Sequence, residues 1–73
     1  MEKFVITNAI RRLRFDASEM TQKDLADLVG VTRQTIVAIE AAKYAPSLEL
    51  AFRIARVFDR PLEEVFQYGP SPE

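Results

Sequence analysis

A short polar stretch in the middle of the chain carries side chains suited to recognising nucleic-acid bases. Arg33 and Gln34 are adjacent, and a helix beginning near them would expose both, together with Val37. A guanidinium can bind guanine O6 and N7 through two hydrogen bonds, an amide can bind adenine in the same way, and a small apolar group can contact a thymine methyl. An ordinary solvated helix face carries mostly charges, so this mixture is unusual.

Other kinds of chemistry have few candidate residues in this sequence. The 73 residues include no histidine and no cysteine, which removes the commonest proton shuttle, thiol nucleophiles and the usual zinc ligands. The acidic residues are scattered, and no nucleophile has a base at a usable spacing. We therefore predict that the protein is not an enzyme and that it uses no metal or cofactor.

Length and charge limit the class of protein further. The chain corresponds to one small domain over residues 1–73, which buries only about 60% of its unfolded surface and must rely on helix packing or a second subunit. No apolar run approaches the roughly 18 residues of a membrane span, and the first hydrophobic stretch is too short for a signal peptide, so no membrane contact and a cytoplasmic location are expected. Because the net charge is -1, any DNA contact must depend on where the basic residues lie.

Two short helices joined by a sharp turn are predicted around the polar stretch. Thr21 and Asp24 have the spacing of a capping box that begins the first helix, and Gly30 ends it because glycine adopts the left-handed conformation without a Cβ penalty. Thr32 then caps the next helix, so the pair occupies about 21–40. Their apolar residues are Leu25, Ala26, Leu28, Val29, Val31, Ile36 and Ile39.

Helical spacing also dominates the sequence on either side of this pair. A first amphipathic helix is indicated by apolar residues every three or four positions, namely Ile6, Ala9, Ile10, Leu13 and Ala17. Segment 3–7 is β-branched and aromatic, however, and suits a short extended strand equally well. Ser47 is the expected cap of a fourth helix, whose predicted core residues include Leu48, Phe52 and Phe58. Pro61 begins a short fifth helix over 62–66, and 69–73 is expected to be a frayed tail.

The central segment resembles the helix-turn-helix of the Xre/Cro-type phage-repressor family, and the resemblance extends over residues 6–66. The motifs that carry it are Thr21-Gln22, Leu25-Ala26, Gly30-Val31, Arg33-Gln34-Thr35-Ile36, Ile39-Glu40, Lys43-Tyr44, Pro46-Ser47-Leu48 and Pro61-Leu62-Glu63-Glu64-Val65-Phe66. The chain is most similar to small stand-alone repressors such as the cytolysin repressor, which dimerise without an added sensor domain. The resemblance implies an all-α, five-helix lambda-repressor-like DNA-binding domain, with a short two-stranded β element from the termini as an open alternative.

The resemblance also implies roles for individual residues, because it places the third helix in the major groove of DNA. Base-reading roles fall on Arg33, Gln34, Val37 and Ala38. Contacts to backbone phosphates fall on Gln22, Thr32, Thr35, Lys43 and Tyr44. Arg14 and Glu40 would form a partly buried ion pair between the first and third helices. Ala41 and Ala42 stand where the family usually has glycine, so the third helix is expected to end differently, by extension or by strain.

The resulting hypothesis is a sequence-specific transcriptional regulator, a homodimeric repressor that reads a palindromic operator in double-stranded DNA. Its twofold interface is predicted to use Val65, Phe66 and Tyr68, within a dimerisation region of about 48–68, together with the extended segment 4–7. The alternative hypothesis is an antitoxin-type interaction module. Such a module would cover a toxin with its fourth and fifth helices and would regulate its own gene through the helix-turn-helix.

Overall fold

The structure is a computed structural model, and it describes residues 3–71. In chain order the elements are β1 (Phe4–Asn8), α1 (Ile10–Asp16), α2 (Gln22–Val29), α3 (Arg33–Glu40), α4 (Leu48–Val57), α5 (Leu62–Val65) and β2 (Phe66–Pro70). The described part of the chain therefore contains the five expected helices and a two-stranded sheet, so the description all-α is correct for the helical core and incomplete for the whole fold.

The sheet brings the two ends of the described chain together. β1 and β2 pair antiparallel, with Ile6 opposite Tyr68 and Asn8 opposite Phe66. The rings of Phe4 and Tyr68 lie on the same face with centroids 5.3 Å apart, a contact that stabilises paired strands. The open alternative for segment 3–7 is thus decided in favour of a strand, and the inclusion of Ile6 in the first helix is wrong.

The predicted frayed tail is also corrected by the sheet. Gly69 and Pro70 belong to β2, and the backbone N–H of Ser71 donates to the carbonyl of Lys3 at 2.6 Å. These backbone hydrogen bonds hold the chain against β1 as far as residue 71. The remainder of the predicted tail, residues 72–73, lies outside the described residues.

The caps of α2 and α3 follow the local sequence signals. The backbone N–H of Asp24 donates to Thr21 Oγ1 at 2.9 Å, and the backbone N–H of Thr21 donates to the Asp24 carboxylate at 3.1 Å, which completes the capping box. Gly30 ends α2 in the left-handed region with a φ of 79°. Thr32 then caps α3 by accepting from the backbone N–H of Thr35 at 3.2 Å. These three signals fix the turn between the two helices.

The capping box makes stability depend on pH. The hydrogen bond from the backbone of Thr21 lowers the pKa of the Asp24 carboxyl below its ordinary value. Because that pKa is lower in the folded chain than in the unfolded one, the stabilisation is present above the unfolded pKa of about 4 and is lost as the pH falls through the folded value. We expect Asp24→Asn to reduce the fall of Tm below about pH 4, measured by circular dichroism.

A matched substitution elsewhere controls this pH experiment. Asp16 is exposed on α1, and its carboxylate makes no hydrogen bond or ion pair within residues 3–71. Asp16→Asn removes the same charge and should leave the acid dependence of Tm as it is in the parent protein. Equal flattening of the acid dependence by Asp24→Asn and Asp16→Asn would count against the capping box as its source.

One core lies between the helices and beneath the sheet. Its buried residues are Ile10, Leu13, Leu25, Ala26, Val29, Ile36, Ile39, Leu50, Ala51, Ile54, Ala55 and Val65. Three side chains that we predicted for apolar faces or for the core are instead largely exposed: Leu28, Leu48 and Phe52. Phe58 is partly buried against the core, as is Val31. α2 packs on both α3 and α4, which holds the helix pair in place.

The chain leaves α3 through a strained residue. Ala41 retains a φ of -79°, whereas Ala42 has a φ of 59°. In that left-handed region an L-residue brings Cβ close to the following carbonyl oxygen, at a cost of roughly 1–2 kcal/mol that glycine avoids. The sequence predicted that α3 would end either by extension or by strain, and the structure shows strain, at Ala42.

The strain at Ala42 predicts a stabilising substitution. Ala42→Gly removes the Cβ conflict but adds about 0.4–1 kcal/mol of backbone entropy to the unfolded state, so we expect a net gain of about 0.5–1 kcal/mol in the free energy of unfolding. Urea denaturation measures the change. The same substitution at Ala41, where φ is negative, should destabilise by a similar amount. An Ala42→Gly protein less stable than its parent would contradict this interpretation.

Candidate nucleic-acid interface

The side of α3 opposite the core is the candidate interface. Ile36 and Ile39 are fully buried and anchor the helix. Arg33, Gln34 and Val37 are exposed. In a helix of 3.6 residues per turn, Gln34 and Val37 lie on the side away from the two isoleucines, and Arg33 lies at its edge. Ala38 is half-buried beside this face. Within residues 3–71 neither the Arg33 guanidinium nor the Gln34 amide has a hydrogen-bond or ion-pair partner, so both are available for a ligand.

Two threonine hydroxyls lie at the start of α3. Thr32 Oγ1 already accepts the backbone N–H of Thr35, and the two Oγ1 atoms are 3.0 Å apart, close enough for one hydroxyl to donate to the other. The receiving hydroxyl keeps its own proton, because a hydroxyl both donates and accepts. One O–H donor at the helix start therefore remains for a phosphate oxygen.

The predicted ion pair between α1 and α3 is present. Arg14 Nε lies 2.7 Å from Glu40 Oε2, and Arg14 Nη2 donates to Glu40 Oε1 at 3.1 Å. The third nitrogen, Nη1, donates to the carbonyl of Met20 at 2.8 Å. With side-chain exposures of 14% and 10%, the pair fixes the end of α3 to α1 and to the connection that leads into α2.

Gln22, at the first position of α2, is half-buried and joins this cluster. Its Nε2 donates to Glu40 Oε1 at 3.3 Å. This contact was not predicted from the sequence, because the two residues are 18 positions apart and neither the residue types nor their spacing indicates it. A similar long-range contact joins Arg53 of α4 to the end of α2, where its Nη1 donates to the carbonyl of Val29 at 3.1 Å.

Few other cations lie on α2, on α3 or in the loop that follows α3. Lys23 pairs with Asp27 at 2.9 Å, and this hydrogen bond raises the pKa of the lysine above its ordinary value. Lys43 and Tyr44 are exposed in the loop after α3. Among α2, α3 and this loop, Arg33 and Lys43 are thus the cations without an acidic partner in the described chain. These two cations lie near the two ends of α3.

The three residues predicted for a subunit interface do not lie together. Val65 is fully buried in the core and its carbonyl accepts the backbone N–H of Ala9 at 2.9 Å, so its assignment to an interface is wrong. Phe66 is half-buried at the start of β2, and Tyr68 is 72% exposed. Phe4, in the predicted segment 4–7, and Leu48, at the start of the predicted region 48–68, are 49% and 67% exposed.

Residues 3–71 contain neither a membrane-spanning helix nor a metal-ligand cluster, but they do form an open pocket. No helix within 3–71 combines the length and apolarity needed to cross a bilayer. In the same range, no three acidic side chains come together in a way that could hold a metal ion. An open pocket of about 310 Å³ lies between the sheet and the loop after α3, with Tyr44, Pro46 and Tyr68 among its lining residues.

Comparison with known proteins gives consistent results. A family model described as Helix-turn-helix matches residues 10–65. An uncharacterized HTH-type transcriptional regulator of Methanocaldococcus jannaschii is 57% identical over 49 residues, which cover 67% of this chain and 74% of that protein. The uncharacterized HTH-type transcriptional regulator YgzD of Bacillus subtilis is 49% identical over 55 residues, covering 75% and 79%. The fold is similar to a crystal structure from Bacteroides fragilis described as a "putative DNA-binding protein", with a TM-score of 0.75 and 21% identity over 86% of this chain and 100% of that one.

Proposed function

Because the chain belongs to the helix-turn-helix family and its relatives are transcriptional regulators, we propose that it acts as a homodimeric repressor that reads a palindromic operator through the major groove. The observation that carries the proposal is the exposed face of α3, where two unpaired polar side chains stand beside small apolar ones. The proposal includes no catalytic activity. Neither the fold nor the relatives named above favour the antitoxin-type alternative.

In this proposal the bases are read by the N-terminal half of α3. Arg33 binds guanine O6 and N7, Gln34 binds adenine N6 and N7, and Val37 contacts a thymine methyl. Ala38 lets the helix approach the base edges closely. Each two-pronged contact contributes about 1–3 kcal/mol of discrimination. The half-site is therefore expected to contain a guanine next to an adenine on the strand that faces α3.

The phosphate contacts surround this helix. They come from Gln22, Thr32, Thr35, Lys43 and Tyr44, which lie at the start of α2, at the start of α3 and in the loop that follows it. Of these only Lys43 carries a charge. The proposed binding therefore depends only weakly on salt for a DNA-binding protein, because the salt dependence scales with the number of phosphates that cations neutralise.

Selection of bound sequences from random DNA tests the proposed function. We expect two inverted half-sites whose centres lie one helical turn apart, about 34–36 Å, because a twofold dimer presents two copies of α3. Repression follows if the selected operator overlaps a promoter. Recovery of unrelated sequences, or of a single half-site without its inverted copy, would contradict the proposal.

The proposed dimer uses an apolar surface formed by the sheet and the start of α4. We call Phe4, Ile6, Leu48, Phe66 and Tyr68 the sheet face. Four of its members are 40% to 72% exposed, and two grooves of about 240 Å³ each cross it around Ile6 and Phe66. Monomers rarely leave so many large apolar side chains together in water. A second copy of the chain would cover the sheet face and supply the burial that a domain of this size lacks.

A single substitution on the sheet face should separate the subunits. Tyr68→Asp would place a carboxylate without a partner in the interface, at a cost of roughly 1–3 kcal/mol, which raises the dimer dissociation constant by about 10- to 100-fold. Light scattering after size exclusion measures the mass.

Phe15 supplies the control for this dimer experiment, because it is 68% exposed on α1 and lies outside the sheet face. Phe15→Asp makes the same aromatic-to-acid change and should leave the protein dimeric. A parent protein that is monomeric at micromolar concentration, or loss of the dimer in both variants, would overturn the proposed interface.

A further inference from the structure

The carboxylate of Glu40 connects the last position of α3 with two other elements. Its two oxygens accept hydrogen bonds from Arg14 of α1 and from Gln22, the first residue of α2. The side chain of Glu40 is only 10% exposed, so these bonds form largely away from bulk water, where they are stronger than on an open surface. The position of the Gln22 side chain is therefore linked to the end of α3.

The hydrogen bond to Glu40 orients the Gln22 amide. A primary amide carries two N–H donors and one oxygen in a single plane. Once Nε2 points one N–H at Glu40 Oε1, the rotation of the plane is restricted and the second N–H is confined to a narrower range of directions. Within residues 3–71 this second N–H has no acceptor. It is the donor that the proposed function directs at a DNA phosphate.

The cluster can lie near DNA because its charges cancel. The Arg14 guanidinium directs Nε and Nη2 at Glu40 and Nη1 at the carbonyl of Met20, so each of its nitrogens is engaged within the protein. Arg14 thus neutralises the Glu40 carboxylate and is not directed at a phosphate. A phosphate at the start of α2 would meet an oriented amide N–H instead of an uncompensated negative charge.

We propose that Glu40 is a positioning residue for DNA binding, which holds the Gln22 amide in the orientation that donates to a backbone phosphate. The inference rests on the proposed function, because it takes the Gln22 contact from it. It goes further in making the docking of α2 on the DNA backbone depend on the end of α3. It also means that the Arg14–Glu40 ion pair contributes to DNA affinity as well as to the stability of the fold.

A double-mutant cycle on operator affinity tests this dependence. One arm is Gln22→Ala, and the other replaces the ion pair with apolar residues, Arg14→Met with Glu40→Leu. The second arm leaves the net charge of the protein unchanged, so electrostatic attraction to DNA is matched. Apolar replacement of a buried pair often preserves the fold, and circular dichroism at the assay temperature checks that it does.

The expected result is strong non-additivity. Gln22→Ala and the apolar pair should each weaken operator binding about five- to tenfold, the value of one hydrogen bond. Adding Gln22→Ala to the apolar pair should weaken binding by less than about twofold further, since the amide is already unanchored. A purely structural role for the pair would leave the effect of Gln22→Ala the same in both backgrounds, and that result overturns the proposal.

Glu40→Gln decides the question by sign if the apolar pair does not fold, with the affinity referred to the folded fraction measured by circular dichroism, because loss of one partner of the buried pair also costs stability. Removing a carboxylate near DNA ordinarily strengthens binding because repulsion is lost. The proposal predicts weaker binding, because the charged acceptor of the Gln22 amide is lost. Asp27→Asn is the matched control: it also removes a carboxylate, frees Lys23 and should tighten binding. Tighter binding by both variants overturns the proposal.

Failure of this inference is distinguishable from failure of the proposed function. If the parent protein selects no operator from random DNA, the proposed function fails, and the inference fails with it. If the parent selects an operator and Arg33→Ala binds it more weakly, but the cycle is additive, only the role of Glu40 is refuted.

Discussion

Replacing Arg33 and Gln34 together with alanine should abolish sequence-specific operator binding without unfolding the protein. Both side chains are exposed and have no partner within the described chain, so their loss removes no internal contact. Each contributes about 1–3 kcal/mol of base discrimination, so the double variant should lose roughly 2–6 kcal/mol per half-site, a factor of about 30 or more in affinity. Fluorescence anisotropy with operator and scrambled DNA measures the difference.

A matched arginine provides the control for this experiment. Arg56 is exposed on α4 and, like Arg33, has no ion-pair partner among residues 3–71. Arg56→Ala changes the net charge by the same amount as Arg33→Ala, and it should leave discrimination between operator and scrambled DNA intact. Retention of specificity by the Arg33→Ala, Gln34→Ala protein would show that α3 does not read the bases.

Breaking the Arg14–Glu40 pair from one side should remove a large part of the stability of the domain. Arg14→Met leaves the Glu40 carboxylate, 10% exposed, without its cation, and loss of one partner from a buried pair costs about 3–5 kcal/mol. A chain of 73 residues has a total stability of roughly 4–11 kcal/mol at about 0.05–0.15 kcal/mol per residue. Urea denaturation should therefore show that the single variant has lost roughly a quarter or more of its free energy of unfolding.

Two comparisons make this stability experiment decisive. Adding Glu40→Leu to Arg14→Met removes the uncompensated charge and should recover most of the lost stability. Lys23→Ala breaks a pair whose side chains are 70% and 65% exposed, and it should leave the stability close to that of the parent protein. A single Arg14→Met variant as stable as Lys23→Ala would show that the pair is not structurally important.

Helix boundaries could be predicted from the sequence because their signals are local. A cap depends on residues within three or four positions, and Thr21 with Asp24, Gly30 and Thr32 all occupy the predicted cap positions. Ser47 likewise caps α4 by accepting the backbone N–H of Leu50 at 3.2 Å. Since these caps lie on either side of α2 and α3, the helix pair itself was predictable.

The first element was ambiguous because its partner is distant in the chain. Ile6 fits a helical spacing with Ala9 and Ile10, and the same segment has strand composition. What decides between them is pairing with β2, in which Ile6 lies opposite Tyr68 some sixty positions later. A single sequence contains no local signal for such a register. The error at Ile6 follows from that separation.

Which face of a short helix is buried also depends on tertiary packing. α5 has only four residues, too few to show a period, and Val65 lies in the core although we predicted it at an interface. Leu28 fits the apolar pattern of α2 and is nevertheless 63% exposed. The candidate site shows the same limit: residue types indicated Arg33 and Gln34, whereas the Gln22–Glu40 contact emerges only once α2 and α3 are packed.

Methylation interference at guanine N7 tests most directly whether α3 reads the major groove. The N7 atom lies in that groove and is one of the two acceptors assigned to the Arg33 guanidinium. We expect methylation of one guanine in each half-site to block the parent protein, and the same methylation to have no effect on Arg33→Ala. An identical interference pattern for both proteins, or interference confined to the minor groove, would contradict the account.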